Sequence, residues 1–230
     1  MAGIGVKLNN IYGKRTLTTN IIGMGYSTVM TIAPMLTVIG ALCIMEHFLG
    51  FDSVGYATRE LFSCTVLYIF IFSLLTASPF NSVLSKYMSD IIYEETFEDI
   101  LPCYYVGMIL NITFSALFGI PFCIHEYLVG NVDIIYVFTG YCGFVALVLV
   151  FYSMLYLSIC KDYKKISFFF MIGMTVTVLL SFLFVKVIHM SITYGMLLAL
   201  AIGFWLIACL EFALIRSCLL YTSPSPRDCS

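Results

Sequence analysis

Residues 166–188 read ISFFFMIGMTVTVLLSFLFVKVI, an apolar run interrupted by one charge, Lys186. A helix needs about 20 such residues to cross the ~30 Å hydrocarbon core of a bilayer. A strand of a membrane barrel would be about 10 residues long and would alternate apolar and polar side chains. Residues 168–184 do not alternate, so the run is a helix. Five further apolar stretches of the same kind occupy about 20–45, 58–80, 101–124, 132–160 and 191–215. The fourth exceeds what a bilayer requires and is expected to tilt or project. Hydrophobic residues make up 61% of the 230-residue chain and charged residues 10%, and the mean hydropathy is +1.02. A soluble domain needs a charged exterior that this composition cannot supply. The fold class that follows is all-α: a polytopic membrane bundle of six transmembrane helices.

The loops set the expected orientation. Lys7, Lys14 and Arg15 precede the first stretch, and Lys86 follows the second. Lys161, Lys164 and Lys165 follow the fourth, and Arg216 follows the sixth. The opposite side holds only Arg59 and Lys186. Basic loops stay in the cytoplasm, so the N-terminus is expected inside an inner (cytoplasmic) membrane. Glu94, Glu95, Glu98 and Asp99 crowd the second loop, but acidic residues carry little weight in this rule. The start does not read as a cleaved signal peptide, because the first apolar run is too long and no A-x-A site follows it. Within 1–18, Ile4, Leu8 and Ile11 fall at helical spacing among Lys7, Asn10 and Lys14. That pattern predicts a short amphipathic helix on the cytoplasmic interface. The bundle itself is expected over 19–216.

Residues 217–230 change character abruptly. The segment 218–228, CLLYTSPSPRD, looks like a translated sequencing adapter, and such scars stand outside fold reasoning. On this reading 217–230 are an artefactual tail and the chain is a truncated fragment.

Chemistry-bearing residues are sparse. Seven cysteines before the tail are scattered without C-x-x-C spacing, and buried cysteine packs as a small apolar residue. His47, His125 and His189 fall near one end of the odd-numbered spans; a three-histidine site or a pH sensor is the functional alternative to ordinary interfacial histidines. No P-loop, no H-E-x-x-H and no nucleophile with its base is present, so no enzyme activity, cofactor, metal or nucleic-acid partner is expected. Glu60, Lys186 and Glu211 are the charges near or within spans. Glu211 lies about one turn from the end of the sixth span, and Lys186 can reach outward to water. Asn111 is expected to donate a hydrogen bond between helices, and Ala199 with Gly203 offers a small-residue packing face.

The most informative polar stretch continues the second span beyond Pro79. At about 100° per residue, Ser78, Asn81, Ser82, Ser85, Lys86, Ser89 and Asp90 occupy one half of a helix. Phe80, Val83, Leu84, Tyr87, Met88, Ile91 and Ile92 occupy the other. Lys86 and Asp90 stand four apart and could pair. One reading is a cytoplasmic extension packed by its apolar half. The other is a polar cavity wall lined by groups that suit sugar hydroxyls, since serine and asparagine both donate and accept. Pro34 and Pro79 within spans, and Pro121 near the end of the third, are expected to kink or hinge their helices.

The opening Met1-Ala2-Gly3-Ile4-Gly5, the mid-span Thr31-Ile32-Ala33-Pro34, and the stretch Ser85-Lys86-Tyr87-Met88-Ser89-Asp90-Ile91-Ile92-Tyr93 followed by Leu101-Pro102 resemble the PelG family. That family is the membrane exporter component of Pel exopolysaccharide systems. The resemblance covers essentially all of residues 1–216. Two positions depart from it: Ala33 stands where the family usually carries glycine, and Lys86 where arginine is commoner. The resemblance implies a relative of polysaccharide flippases and of multidrug and oligosaccharidyl-lipid exporters. Its fold would be two six-helix bundles around a central cavity, of which this chain supplies the first. It implies a polysaccharide cargo, membrane lipid around the bundle, a cytoplasmic glycosyltransferase partner and small membrane scaffold subunits. The alternatives are a cation-coupled antiporter or lipid-linked oligosaccharide flippase of the same superfamily, and a non-transporting scaffold subunit of a synthase complex. The DNA under codons 218–228 tests the tail reading: adapter bases are expected there, and any other encoding of those residues overturns it.

Overall fold

Each apolar stretch folds as a single helix, because only intrahelical hydrogen bonds satisfy a backbone that water does not reach. In the computed structural model, which describes residues 17–93, 100–159 and 163–220, the helices are α1 (Leu17–Leu49), α2 (Tyr56–Tyr93), α3 (Ile100–Leu128), α4 (Ile134–Ile159), α5 (Tyr163–Phe182) and α6 (Ile192–Leu220). There is no strand among the described residues, and all six helices are long and apolar enough to cross a membrane. Residues 1–16, which carry the pattern for the expected interfacial helix, and the acidic loop at 94–99 lie outside the described residues, while Leu17 and Thr18 already belong to α1.

Several boundaries differ from the sequence reading. α2 runs unbroken through Pro79 for 38 residues, about 57 Å at 1.5 Å per residue, so it both spans and overhangs a ~30 Å core. The fourth segment, a 26-residue helix of about 39 Å, also exceeds a ~30 Å core, though by less than α2. The larger excess belongs to α2, whose polar half tolerates water. The fifth segment does not stay α-helical to 188. It ends at Phe182 and widens into a π turn, Leu183–Val187, closed by the Ile188 amide on the Leu183 carbonyl at 3.1 Å. Gly195 of α6 packs into that turn, where an added Cβ would stand 2.8 Å from Val185 Cγ2. α6 continues to Leu220 and so takes in the first residues of the segment whose composition set it apart.

The α1–α2, α3–α4 and α5–α6 reversals lie at one end of the bundle. Gly50 (φ +73°) stops α1 in the left-handed conformation that glycine adopts at no steric cost. Asn131 (φ +50°) and His189 (φ +60°) turn the other two; both residue types enter that region more readily than most. Side chains stitch this end together. Arg59 reaches Asp52 at 3.2 Å across the first reversal, and the Tyr194 hydroxyl donates to Asp133 at 2.9 Å between α6 and the α3–α4 loop.

α4 and α6 form the buried spine. α2 and α3 flank α4, α5 flanks α6, and α1 packs mainly on α5. Ala146, Leu147, Val148 and Val150 of α4 and Met196, Leu197, Leu200, Phe204 and Ile207 of α6 are almost wholly inaccessible. Small residues let α5 and α6 approach closely. Gly203 faces Gly173, and a Cβ at 203 would lie 1.8 Å from Thr177 Oγ1 and 3.2 Å from the Gly173 carbonyl. Backbone cannot yield as a side chain can. Gly203→Ile is therefore expected to separate α5 from α6 and to lower stability by about 1–3 kcal/mol or more, read as a fall in thermal unfolding temperature in detergent. An unchanged temperature would show that the helices do not meet there.

Candidate functional site

Polar chemistry gathers at the opposite end of the bundle, where α2 overhangs. The residues singled out on α2 separate into two groups. Ser78, Ser82, Lys86 and Asp90 are exposed along one stripe. The Ser82 hydroxyl donates to the Ser78 carbonyl at 3.1 Å, and Ser85, half-buried, donates to the Ser82 carbonyl at 3.0 Å. Lys86 and Asp90 make no ion pair with each other; an exposed pair gains too little to offset the side-chain freedom it would lose. The Ser89 side chain lies outside the described residues. Asn81 turns away from the stripe and donates through Nδ2 to the Phe151 carbonyl of α4 at 3.4 Å. Its Oδ1 is buried and has no hydrogen-bond partner among the described residues. The apolar half divides as well: Met88 and Ile91 are buried, while Val83 and Tyr87 stay exposed. Pro34 is buried, Pro79 exposed, and neither interrupts its helix.

Beneath the stripe lies a polar seam between α3 and α4. Tyr104, Gly107, Asn111 and Ser115 form the buried face of α3, spaced three and four apart so that they share one side. Gly107 admits the Tyr152 hydroxyl, which an added Cβ would meet at 2.0 Å. Tyr152 donates to the Tyr104 carbonyl at 3.1 Å and stands 2.9 Å from the Tyr156 hydroxyl. Tyr156 reaches Cys103 Sγ at 3.7 Å, and the Tyr104 and Ser153 hydroxyls are 2.7 Å apart. The rings lock together. Tyr104 stacks on Tyr152 (centroids 5.4 Å, planes 15° apart) and meets Tyr156 edge-on at 4.7 Å. Asn111 does not bridge helices as expected. Its Nδ2 donates to the Gly107 carbonyl of its own helix at 2.8 Å, leaving Oδ1 buried and unmatched.

Glu211 is the buried charged residue that depth along the helix concealed. It is 0% exposed, and neither carboxylate oxygen has a hydrogen-bond partner among the described residues. The signal lies in its phase. Leu197, Leu200, Phe204, Ile207 and Ile215 are buried at helical spacing, and Glu211 occupies the place in that row where an apolar residue belongs. Counting turns from the helix end hides this.

At the other end, a cavity of about 290 Å³ opens between α2, α3 and α4. Tyr68, Phe72, Phe118, Phe122, Tyr136 and Tyr141 help line it, with Glu126 at its edge. No motif announces this cleft, since its rings come from three helices. The histidines gather no site: His47 and His189 are exposed, His125 sits beside Glu126 at 3.3 Å, and no group of three or more potential metal ligands forms among the described residues.

The family model PelG, whose description is "Putative exopolysaccharide Exporter (EPS-E)", matches residues 1–225. The match thus reaches into the segment that composition sets apart. No curated protein and no solved structure matches the chain.

The two α2 groups carry different expectations. Asn81→Leu removes one long hydrogen bond together with one unmatched buried oxygen, and such exchanges are nearly neutral. Stability in detergent is expected to stay within about 1 kcal/mol of the parent. A loss of 3 kcal/mol or so would mean that Asn81 anchors α2 to α4.

Proposed function

Because the chain belongs to the PelG family of exopolysaccharide exporters, we propose that it is the multi-pass component that passes a growing Pel-type polysaccharide across the cytoplasmic membrane. The family match over residues 1–225 carries this reading. Six helices long and apolar enough to span a membrane are the architecture such a task needs.

The chemistry of α2 supports a glycan cargo. A sugar chain presents hydroxyls that both donate and accept, with little charge. Ser78 and Ser82 are exposed and offer matching groups at small desolvation cost. Lys86 and Asp90 continue the stripe toward the end of α2, where charge is cheaper to hold. In this proposal the stripe is one wall of a water-filled path, and the six helices are one of two bundles around it. Exporters built from such repeats place their site at the repeat interface. Pro34 and Pro79 each lack an amide donor inside a helix, which makes α1 and α2 the elements best suited to flex as the bundles rock. A cytoplasmic glycosyltransferase would feed the polymer in, and small membrane scaffold subunits would hold the two together.

Deleting the gene is expected to abolish secreted polymer while polymer still accumulates inside the cell. Complementation with the full gene should restore secretion. Ser78→Leu/Ser82→Leu is expected to insert normally and to reduce secretion on the order of tenfold, the effect of about 1.4 kcal/mol on passage. Unchanged secretion in the deletion strain would overturn the export reading. Unchanged secretion in the double variant would move the path away from α2.

A further inference from the structure

Glu211 is a carboxyl inside the bundle with no group among the described residues to answer its charge. The titratable and charged side chains of the elements around α6 at this end are the phenols of Tyr104 and Tyr105 and the Cys103 thiol on α3. α4 adds Tyr152 and Tyr156, α5 adds Lys164 and Lys165, and α2 adds Lys86, Tyr87 and Asp90. Cys209 and Arg216 are exposed on α6 itself. No hydrogen bond from any of these reaches the Glu211 oxygens. Tyr104 lies within electrostatic reach of them, but its hydroxyl is engaged with Ser153. An unpaired buried charge is among the least tolerated groups in a protein interior.

We propose that Glu211 is a proton-binding site: the packed bundle holds its carboxyl neutral, and release of the proton is tied to loosening of the contact between α3 and α6. That contact is made by neighbours of the carboxyl, since the Phe212 ring packs on Tyr104 at 6.2 Å and on Tyr105 at 6.1 Å. The step is an acid–base equilibrium of one carboxyl oxygen with water, and nothing else is consumed. A metal cation fits the place poorly. It would ask for several oxygen ligands, whereas the neighbours in the row are Ile207, Ala208 and Ile215. A proton needs one oxygen.

The seam offers a way in. Cys103 borders a hollow between α2 and α3, with Leu84, Tyr87, Pro102 and Val106. From Cys103 the polar atoms lead inward through the Tyr156 and Tyr152 hydroxyls to the Tyr104 carbonyl, and the Tyr104 ring, stacked on Tyr152, carries the separate Ser153–Tyr104 hydroxyl pair. The inference does not depend on what is exported.

The chain in lipid nanodiscs is followed by pH-difference infrared spectroscopy and by amide hydrogen exchange. A carboxylic C=O band that responds to pH is expected. It should shift when glutamate is supplied with a ¹³C carboxyl, vanish in Glu211→Gln and persist in Glu60→Gln, where the exposed α2 glutamate is removed. Exchange in peptides from 100–128 and 192–220, corrected for its intrinsic pH dependence, should rise with pH by up to about tenfold per unit, the slope of one linked proton. In Glu211→Gln it should be flat. The isotope measurement on the unaltered chain stands even if a variant misfolds. A band indifferent to glutamate labelling, equal exchange slopes in both chains, or loss of the band on adding sodium at fixed pH would each overturn the proposal.

Discussion

A polar group in hydrocarbon has no water to fall back on, and the rest of this structure follows from that shortage. Its hydroxyl side chains mostly resolve it by turning onto their own helix. Thr65, Thr113, Ser115, Thr139, Ser158, Thr175 and Thr177 each donate to the carbonyl four residues earlier. Such back-bonding silences a hydroxyl without asking anything of a neighbouring helix. A bundle can therefore carry many serines and threonines with few of them joining helices. The ones that do reach across mark where the helices are held by more than shape. The Ser153 and Tyr104 hydroxyls pair between α3 and α4, and Thr65 accepts from the Tyr136 hydroxyl between α2 and α4 at 3.4 Å. Ser73 donates to the Ile69 carbonyl of its own helix and only approaches the Phe144 carbonyl of α4.

Against that background, among the described residues, Asn81, Asn111 and Glu211 keep buried oxygens without a hydrogen-bond partner. Carboxamides can spare one unmatched oxygen at moderate cost. A carboxylate cannot, which is why Glu211 commands more interest than the cysteines and histidines do. The tyrosines near it behave differently again. Tyr104, Tyr152 and Tyr156 bury large rings and still find partners for their hydroxyls, so the seam is at once a packing core and a polar one.

The helices were legible because the signal for a membrane span is length and hydropathy, both local properties. The unbroken passage of α2 beyond Pro79 was legible for a related reason, since Ser78, Ser82 and Lys86 keep helical phase with Met88 and Ile91 on the far side. The π turn at Leu183–Val187 was not legible; it answers the close packing of Gly195, which belongs to another helix. For Asn111, residue type gives the capacity to donate but not the direction. Only the bare Gly107 carbonyl one turn back decides that. The aromatic cleft escaped for want of any linear pattern, as its walls come from three helices. The stripe on α2 was visible as a pattern, and the structure adds that Asn81 leaves it.

The uninterrupted length of α2 joins two regions that otherwise share nothing. Its first half supplies Leu61, Thr65, Tyr68 and Phe72 to the aromatic cleft; its second half carries the exposed serines and Lys86. Between them Asn81 donates to the Phe151 carbonyl of α4. One rod therefore carries both surfaces, and whatever fixes its tilt in the bilayer sets the depth of the cleft and of the stripe together.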